Sequence, residues 1–168
     1  MIARRTLLFA GVAGLLAGCS ATLPVTPQAQ RSPEQLTREE ILAAVNAVRV
    51  ANNVPRWSYN AQLEAAARTH SRLMARSDEL SHTLGGTLRE RVTAAGYVGA
   101  VGENLAGGQP TLQQAMEGWL RSPGHRSTLL SDRFVEFGLS AARVSTSGAR
   151  YNVYWTLIAG GSFDAWRA

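Results

Sequence analysis

The chain has a single cysteine, Cys19, and no lysine. One thiol cannot form an internal disulfide, so packing has to stabilise the fold even in an oxidising compartment. All 17 basic residues are arginines, and they are scattered among 12 acidic residues rather than clustered. The sequence therefore shows no basic run of the kind that binds a DNA or RNA backbone, and we expect no nucleic-acid partner.

The chain also lacks an apolar run long enough to cross a bilayer. Residues 7–16 are apolar, but they are too few to span the hydrocarbon core, and Arg4 and Arg5 come shortly before them. A positive start, a short apolar segment and two small residues are the layout of a secretory signal. Because Cys19 would be the first mature residue, this segment resembles a bacterial lipobox. Residues 1–18 are therefore predicted to be a lipoprotein signal peptide, with Cys19 as the lipidation site.

Two other interpretations of this segment stay open. The cysteine can be incidental to an ordinary signal peptide, or it can be a buried structural thiol. Arg4 and Arg5 are compatible with both the general secretory route and twin-arginine export. Either route predicts an exported protein. With lipidation, Cys19 would anchor it to the bacterial cell membrane or outer membrane, on the periplasmic or extracellular face.

The mature chain divides into a tether and one domain. Residues 19–34 are rich in Ala, Thr, Pro, Gln and Ser and have few large apolar residues, as a flexible tether does. Residues 35–168 are enough for one domain with its own core. We expect this domain to be monomeric.

Helix signals fill the first half of that domain. Thr37 and Glu40 form a capping box, and Asn60 is placed to cap a second helix that carries a regular apolar face. A short helix is predicted over residues 88–95, and another begins at Thr111.

Strand signals come later in the chain. Residues 135–142 and 151–157 alternate apolar and small or polar side chains across a Ser/Thr/Gly turn, which predicts a β-hairpin. Residues 99–110 are punctuated by glycine and are predicted to be irregular. Helices followed by a terminal antiparallel sheet indicate an α+β fold.

Three polar residues lie in or beside glycine-containing loops, where functional groups are often placed: His82, Glu103 and His125. Two imidazoles and a carboxylate are suitable ligands for zinc and similar divalent ions, and the same set can perform acid/base chemistry. Their spacing does not establish that they meet in space, so three separate surface or loop-fixing residues remain the alternative. His70, by contrast, shares the apolar face of its helix and is predicted to be a core residue.

Several motifs together resemble bacterial members of the CAP superfamily, the SCP-like extracellular proteins. In chain order they are Ser-His-Thr at 81–83, Gly-Glu-Asn at 102–104, Ser-Pro-Gly-His-Arg at 122–126 and Tyr-Trp-Thr at 154–156. The resemblance covers about residues 36–160. It implies a CAP-type α-β-α sandwich, in which a small antiparallel sheet is covered by helices on both faces. It also implies a surface cleft that holds two histidines and two acidic residues.

The resemblance carries over at three of those four positions, which are His82, Glu103 and His125. Longer relatives have the second acid one helical turn after the tryptophan numbered Trp119 here, and this chain has Ser122 at that place.

Two nearby acids are candidates for the missing position. Glu117 lies on the polar face of its helix four residues before Arg121, which favours an exposed ion pair instead. Glu136 points away from its apolar strand neighbours and is the better candidate. A site with only three protein ligands would leave an open coordination position on a metal.

The residues favour a non-catalytic binding module. Its cleft would hold zinc or another divalent ion, a lipid or sterol-like molecule, or a cell-wall fragment, because no nucleophile with an oriented base is evident. The alternative is a hydrolase, either a protease or a cell-wall enzyme, in which a histidine and Glu103 activate water directly or through a metal. A third interpretation is an adhesion protein with an unused cleft.

Overall fold

The structure is a computed structural model that describes residues 33–167. The predicted signal peptide, Cys19 and nearly all of the predicted tether lie outside these residues. Within them, no helix is both long and apolar enough to cross a bilayer.

Five α-helices and four β-strands make up the described part of the chain. The helices are α1 (Arg38–Ala51), α2 (Ala61–Ser77), α3 (Leu88–Ala94), α4 (Leu112–Arg121) and α5 (Pro123–Leu129). The strands are β1 (Ser58–Tyr59), β2 (Ala100–Gly107), β3 (Glu136–Arg143) and β4 (Val153–Gly161). Short 3-10 turns occupy Pro33–Gln35 and Phe163–Trp166.

The first two long helices begin where the sequence predicts. The Thr37 hydroxyl accepts a hydrogen bond from the Glu40 N–H at 3.2 Å, and the Glu40 carboxylate accepts one from the Thr37 N–H at 2.9 Å. Asn60 caps α2 by accepting hydrogen bonds from the first free N–H groups of that helix. These side chains satisfy donors that have no partner inside the helix, which sets the helix start.

The sheet has the strand order β1-β3-β4-β2. The predicted hairpin is confirmed as the antiparallel pair β3 and β4, and β2 is antiparallel to β4 along the opposite edge. The two-residue β1 runs parallel to β3.

Strand β2 corrects one expectation, because it lies where irregular chain is predicted. A Cβ at Gly102 would come within 3.0 Å of both the Phe134 ring and the Thr128 methyl group. Because Gly102 has no side chain, Phe134 and Thr128 can pack against the backbone of β2. This glycine therefore belongs to a strand and does not mark a loop.

Helices cover both faces of this sheet, which confirms the α-β-α sandwich. One apolar cluster joins α1, α4 and α5 to the sheet, and it includes three tryptophans: Trp57, Trp119 and Trp155. Two smaller clusters join α2 and α3 to the opposite face.

Helix α2 rests directly on β3. A Cβ at Gly138 would collide with the backbone of Leu63 and Glu64, so only glycine permits this approach. Further along, the Ser71 and Ser140 hydroxyls lie 3.4 Å apart. The helix and the strand therefore run in the same direction in close contact, which fixes α2 and the loop after it relative to the sheet.

Candidate functional site

Glu103 is the centre of the site. It lies on β2, and its side chain is only 3% exposed. One carboxylate oxygen is 2.8 Å from Nδ1 of His82, and the other accepts a hydrogen bond from the Arg91 guanidinium at 2.6 Å. The structure therefore brings together two of the residues predicted from sequence, and it adds a third, Arg91, that sequence reasoning missed.

Arg91 is a buried charge on α3, with a side chain 6% exposed. Besides Glu103, it donates hydrogen bonds to the backbone carbonyls of His82 at 3.0 Å and Gly86 at 2.6 Å. One guanidinium thus links α3, the loop that carries His82, and β2. The sequence does carry a signal for it, because Arg91 follows Leu88 by three residues and so lies on the inner face of its helix.

The contact with Glu103 sets the orientation of the His82 ring. An ionised carboxylate only accepts hydrogen bonds, so the imidazole carries its proton on Nδ1 and donates it to Glu103. The side chain is 57% exposed. When the ring is neutral, its second nitrogen, Nε2, is left as an acceptor for a ligand.

His70 supports the same loop from inside the protein. It is fully buried, as predicted, and its Nε2 lies 2.9 Å from the carbonyl oxygen of Ser81. Burial lowers the pKa of His70, so the ring is neutral near pH 7 and its Nε2–H donates to that carbonyl. A core histidine therefore holds the residue immediately before His82.

His125 comes to the site from the other helical layer. It is half-buried on α5, and the Asn104 amide donates a 2.8 Å hydrogen bond to its backbone carbonyl. Burial lowers the pKa of the His125 imidazole, and the charge of His82 lowers it further. This contribution puts the two imidazoles within electrostatic range of each other, and the surface between them is called the cleft below.

The two acids considered for the fourth position have other partners. The Glu136 carboxylate accepts hydrogen bonds from the Asn60 amide at 2.8 Å and the Tyr97 hydroxyl at 2.9 Å. Strand β4 separates its strand from β2, a distance of about 10 Å across the sheet. Glu117 accepts a hydrogen bond from Gln113 and lies 4.0 Å from Arg121, as expected of a surface pair. The structure brings neither acid beside Glu103.

The donor set does not fit a three-ligand metal site in this arrangement. Across residues 33–167, no three His, Cys, Asp or Glu side chains are grouped so that they could hold a metal ion. Both oxygens of Glu103 are already engaged, and one of them faces a guanidinium. Only the two imidazoles are left as ligands.

The fold is that of an SCP domain. The sequence profile of the CAP family, the cysteine-rich secretory protein family, matches residues 42–158, which is more than half of the chain. This protein therefore belongs to the CAP family.

Three bacterial proteins illustrate the relationship. An SCP-domain extracellular protein from Bacillus anthracis is 26% identical, with a TM-score of 0.63 over 76% of this chain and 44% of that one. An outer surface protein from Borrelia burgdorferi is similar in fold, with 22% identity and a TM-score of 0.61 over 74% of this chain and 91% of that one. The uncharacterized membrane protein YlbC of Bacillus subtilis is 28% identical over 71% of this chain. The chain spans only 35% of YlbC, and less than half of the Bacillus anthracis protein.

Disrupting the buried ion pair of Arg91 and Glu103 should lower the free energy of unfolding far more than disrupting a surface ion pair. Arg91→Met leaves a buried carboxylate without its cation, and we expect the free energy of unfolding to fall by about 3 kcal/mol. Urea denaturation of the purified protein measures this change. The control is Arg121→Met, which breaks the exposed contact with Glu117 and should cost less than about 1 kcal/mol. Equal losses in the two variants would contradict the assigned role of Arg91.

Stability should also fall in mild acid because of His70. Its pKa is lowered in the folded protein, so the unfolded chain binds a proton first as the pH drops below about 6.5. The free energy of unfolding should therefore decrease as the pH falls below about 6.5. His70→Gln keeps an N–H donor for Ser81 but does not titrate, so its pH dependence should be shallower. Identical slopes in urea titrations of the two proteins would exclude this contribution.

Proposed function

We propose that this protein is an exported, lipid-anchored CAP domain that binds a polar cell-envelope ligand between His82 and His125 without cleaving it. The observation that carries the proposal is the state of Glu103, whose two oxygens are both engaged. A carboxylate held this way orients an imidazole and is not free to deprotonate water.

The chemistry of the cleft suits hydroxyl and amide groups. His82 offers Nε2 as a hydrogen-bond acceptor, and His125 is uncharged at neutral pH because its pKa is lowered. Arg91 compensates the negative charge of Glu103, so the ligand does not meet a net negative charge in the cleft. Cell-wall glycan and peptide carry many hydroxyl and amide groups, whereas a lipid or sterol-like ligand would need an apolar lining. A cell-wall fragment is therefore the ligand class that we favour.

The location supports this choice of ligand. Two of the similar structures come from proteins described as extracellular or outer surface proteins. A lipid on Cys19 would hold the domain beside the wall, on a tether that extends at most about 3.5 Å per residue. Domain and ligand would then occupy the same compartment.

The cleft can be tested with purified peptidoglycan sacculi as the probe. We expect the protein to sediment with sacculi, and the double variant His82→Ala/His125→Ala to bind roughly tenfold more weakly because two ligand contacts are lost. Arg121→Ala, a surface change on the neighbouring helix, is the matched control and should bind normally. If the wild-type protein does not sediment, or the double variant binds equally well, the proposal is wrong.

A hydrolase remains the second candidate, and one contact favours it. The 2.8 Å pairing of His82 with Glu103 resembles a general base oriented by a carboxylate. Dye-labelled sacculi separate the two functions in the same experiment. Binding without dye release supports the binding module, whereas release that is lost in His82→Ala would establish the hydrolase and refute the non-catalytic proposal.

The anchor is tested separately from the cleft. In bacteria that express the full chain, we expect the protein to fractionate with membranes, and Cys19→Ala to move it into the soluble extracytoplasmic fraction because no acyl chains are attached. Ser20→Ala should remain with the membranes. Retention of the Cys19→Ala protein in the membrane pellet would exclude lipid anchoring at this residue.

A further inference from the structure

A second concave site lies between the C-terminal half of α2 and the end of β3. It is a cavity of about 280 Å³ whose polar lining consists of Arg72, Arg76, Arg143, Ser145 and Thr146. Among residues 33–167, no acidic side chain lines it, and it shares no residue with the cleft of His82 and His125. Its function therefore has to be considered independently of that cleft.

The fold creates this arginine cluster from residues far apart in sequence. Arg72 and Arg76 are one turn apart on the exposed face of α2, and Arg143 is the last residue of β3. Because α2 runs along β3 in the same direction, the three arginines line one cavity at the same end of both elements. Ser145 and Thr146 follow in the turn toward β4 and add two hydroxyl groups. Arginines that are scattered along the sequence are thus clustered in the structure.

Two of these arginines have no partner of their own in the described part of the chain. By contrast, Arg68, one turn before Arg72 on the same helix, forms an ion pair with Glu64. Within residues 33–167, the side chains of Arg72 and Arg76 have no hydrogen bond, ion pair or contact with an aromatic ring. Arg76 does lie in the last turn of α2, where a cation complements the helix dipole. The dipole does not account for Arg72, nor for the two hydroxyl-bearing residues that line the same cavity.

We propose that this pocket binds a phosphoryl group. Guanidinium groups match phosphate oxygens in a bidentate geometry, and hydroxyl groups add further donors. Like charges around a concavity repel each other, and a bound anion would relieve that repulsion. The cavity volume is slightly below the roughly 300 to 1,000 Å³ of drug-sized ligand sites. A site of this size suits a small phosphorylated group such as a phospholipid headgroup. Phosphoryl groups reach an exported protein either on phospholipid headgroups or as soluble phosphates.

The test uses two probes that separate these sources. Inorganic phosphate is titrated into the soluble Cys19→Ala protein by calorimetry, and the same protein is sedimented with phosphatidylglycerol vesicles. Removing the acyl anchor ensures that vesicle binding reports on the pocket. We expect Arg72→Gln/Arg76→Gln to weaken binding roughly tenfold, since two charge-assisted contacts are lost. Glutamine is compatible with a helix, so α2 should stay folded.

Arg68→Gln is the matched control, because it removes a charge from the same helix face outside the pocket. Its binding should change less than about twofold if the pocket, and not general positive charge, recognises phosphate. Binding of vesicles but not of free phosphate identifies a lipid headgroup as the source, and the reverse identifies a soluble phosphate. If neither probe binds, or if Arg68→Gln weakens binding as much as the double variant does, the inference is wrong.

Discussion

The candidate cleft depends on one buried guanidinium. Glu103 is almost fully enclosed, and an isolated buried carboxylate would either be protonated or destabilise the fold. Arg91 compensates this charge and at the same time binds two carbonyl oxygens of the loop that carries His82. The planar guanidinium group of arginine has five N–H donors and can bind the carboxylate and both carbonyls at once. The compact ammonium group of lysine would satisfy fewer acceptors in one plane. The ion pair therefore compensates a buried carboxylate and also positions His82.

A second arginine links the other helical layer. Arg49 is fully buried on α1 and donates hydrogen bonds to the carbonyls of Pro55, Leu129 and Ser131, with its guanidinium 3.8 Å above the Trp57 ring. Burial lowers the pKa of Arg49 to about 10, which leaves it charged at neutral pH. The Arg49 guanidinium therefore links the end of α1 to the end of α5, the helix that carries His125. Buried arginine side chains thus provide long-range links within residues 33–167, which contain no cysteine.

Local patterns in the sequence predict the helices, the hairpin and the buried state of His70, because periodicity and caps depend on neighbouring residues alone. Strand β2 was mispredicted because glycines such as Gly102 occur in loops and equally where side chains crowd a strand. Arg91 was missed because a charged residue is normally exposed, and its burial depends on Glu103 from another element. The family resemblance identified Glu103, but neither pattern nor resemblance contains the ion pair that determines its chemistry.

The architecture explains why this one strand can organise both histidines. Strand β2 is at the edge of the sheet, and successive side chains of a strand point to opposite faces. Glu103 faces the layer of α2 and α3 and orients the ring of His82, while Asn104 faces the other layer and holds the backbone of His125. Because the two residues are consecutive, a shift of α3 or α5 relative to the edge strand would change the spacing of the imidazoles. The width of the cleft is therefore set by how both helical layers pack against one strand.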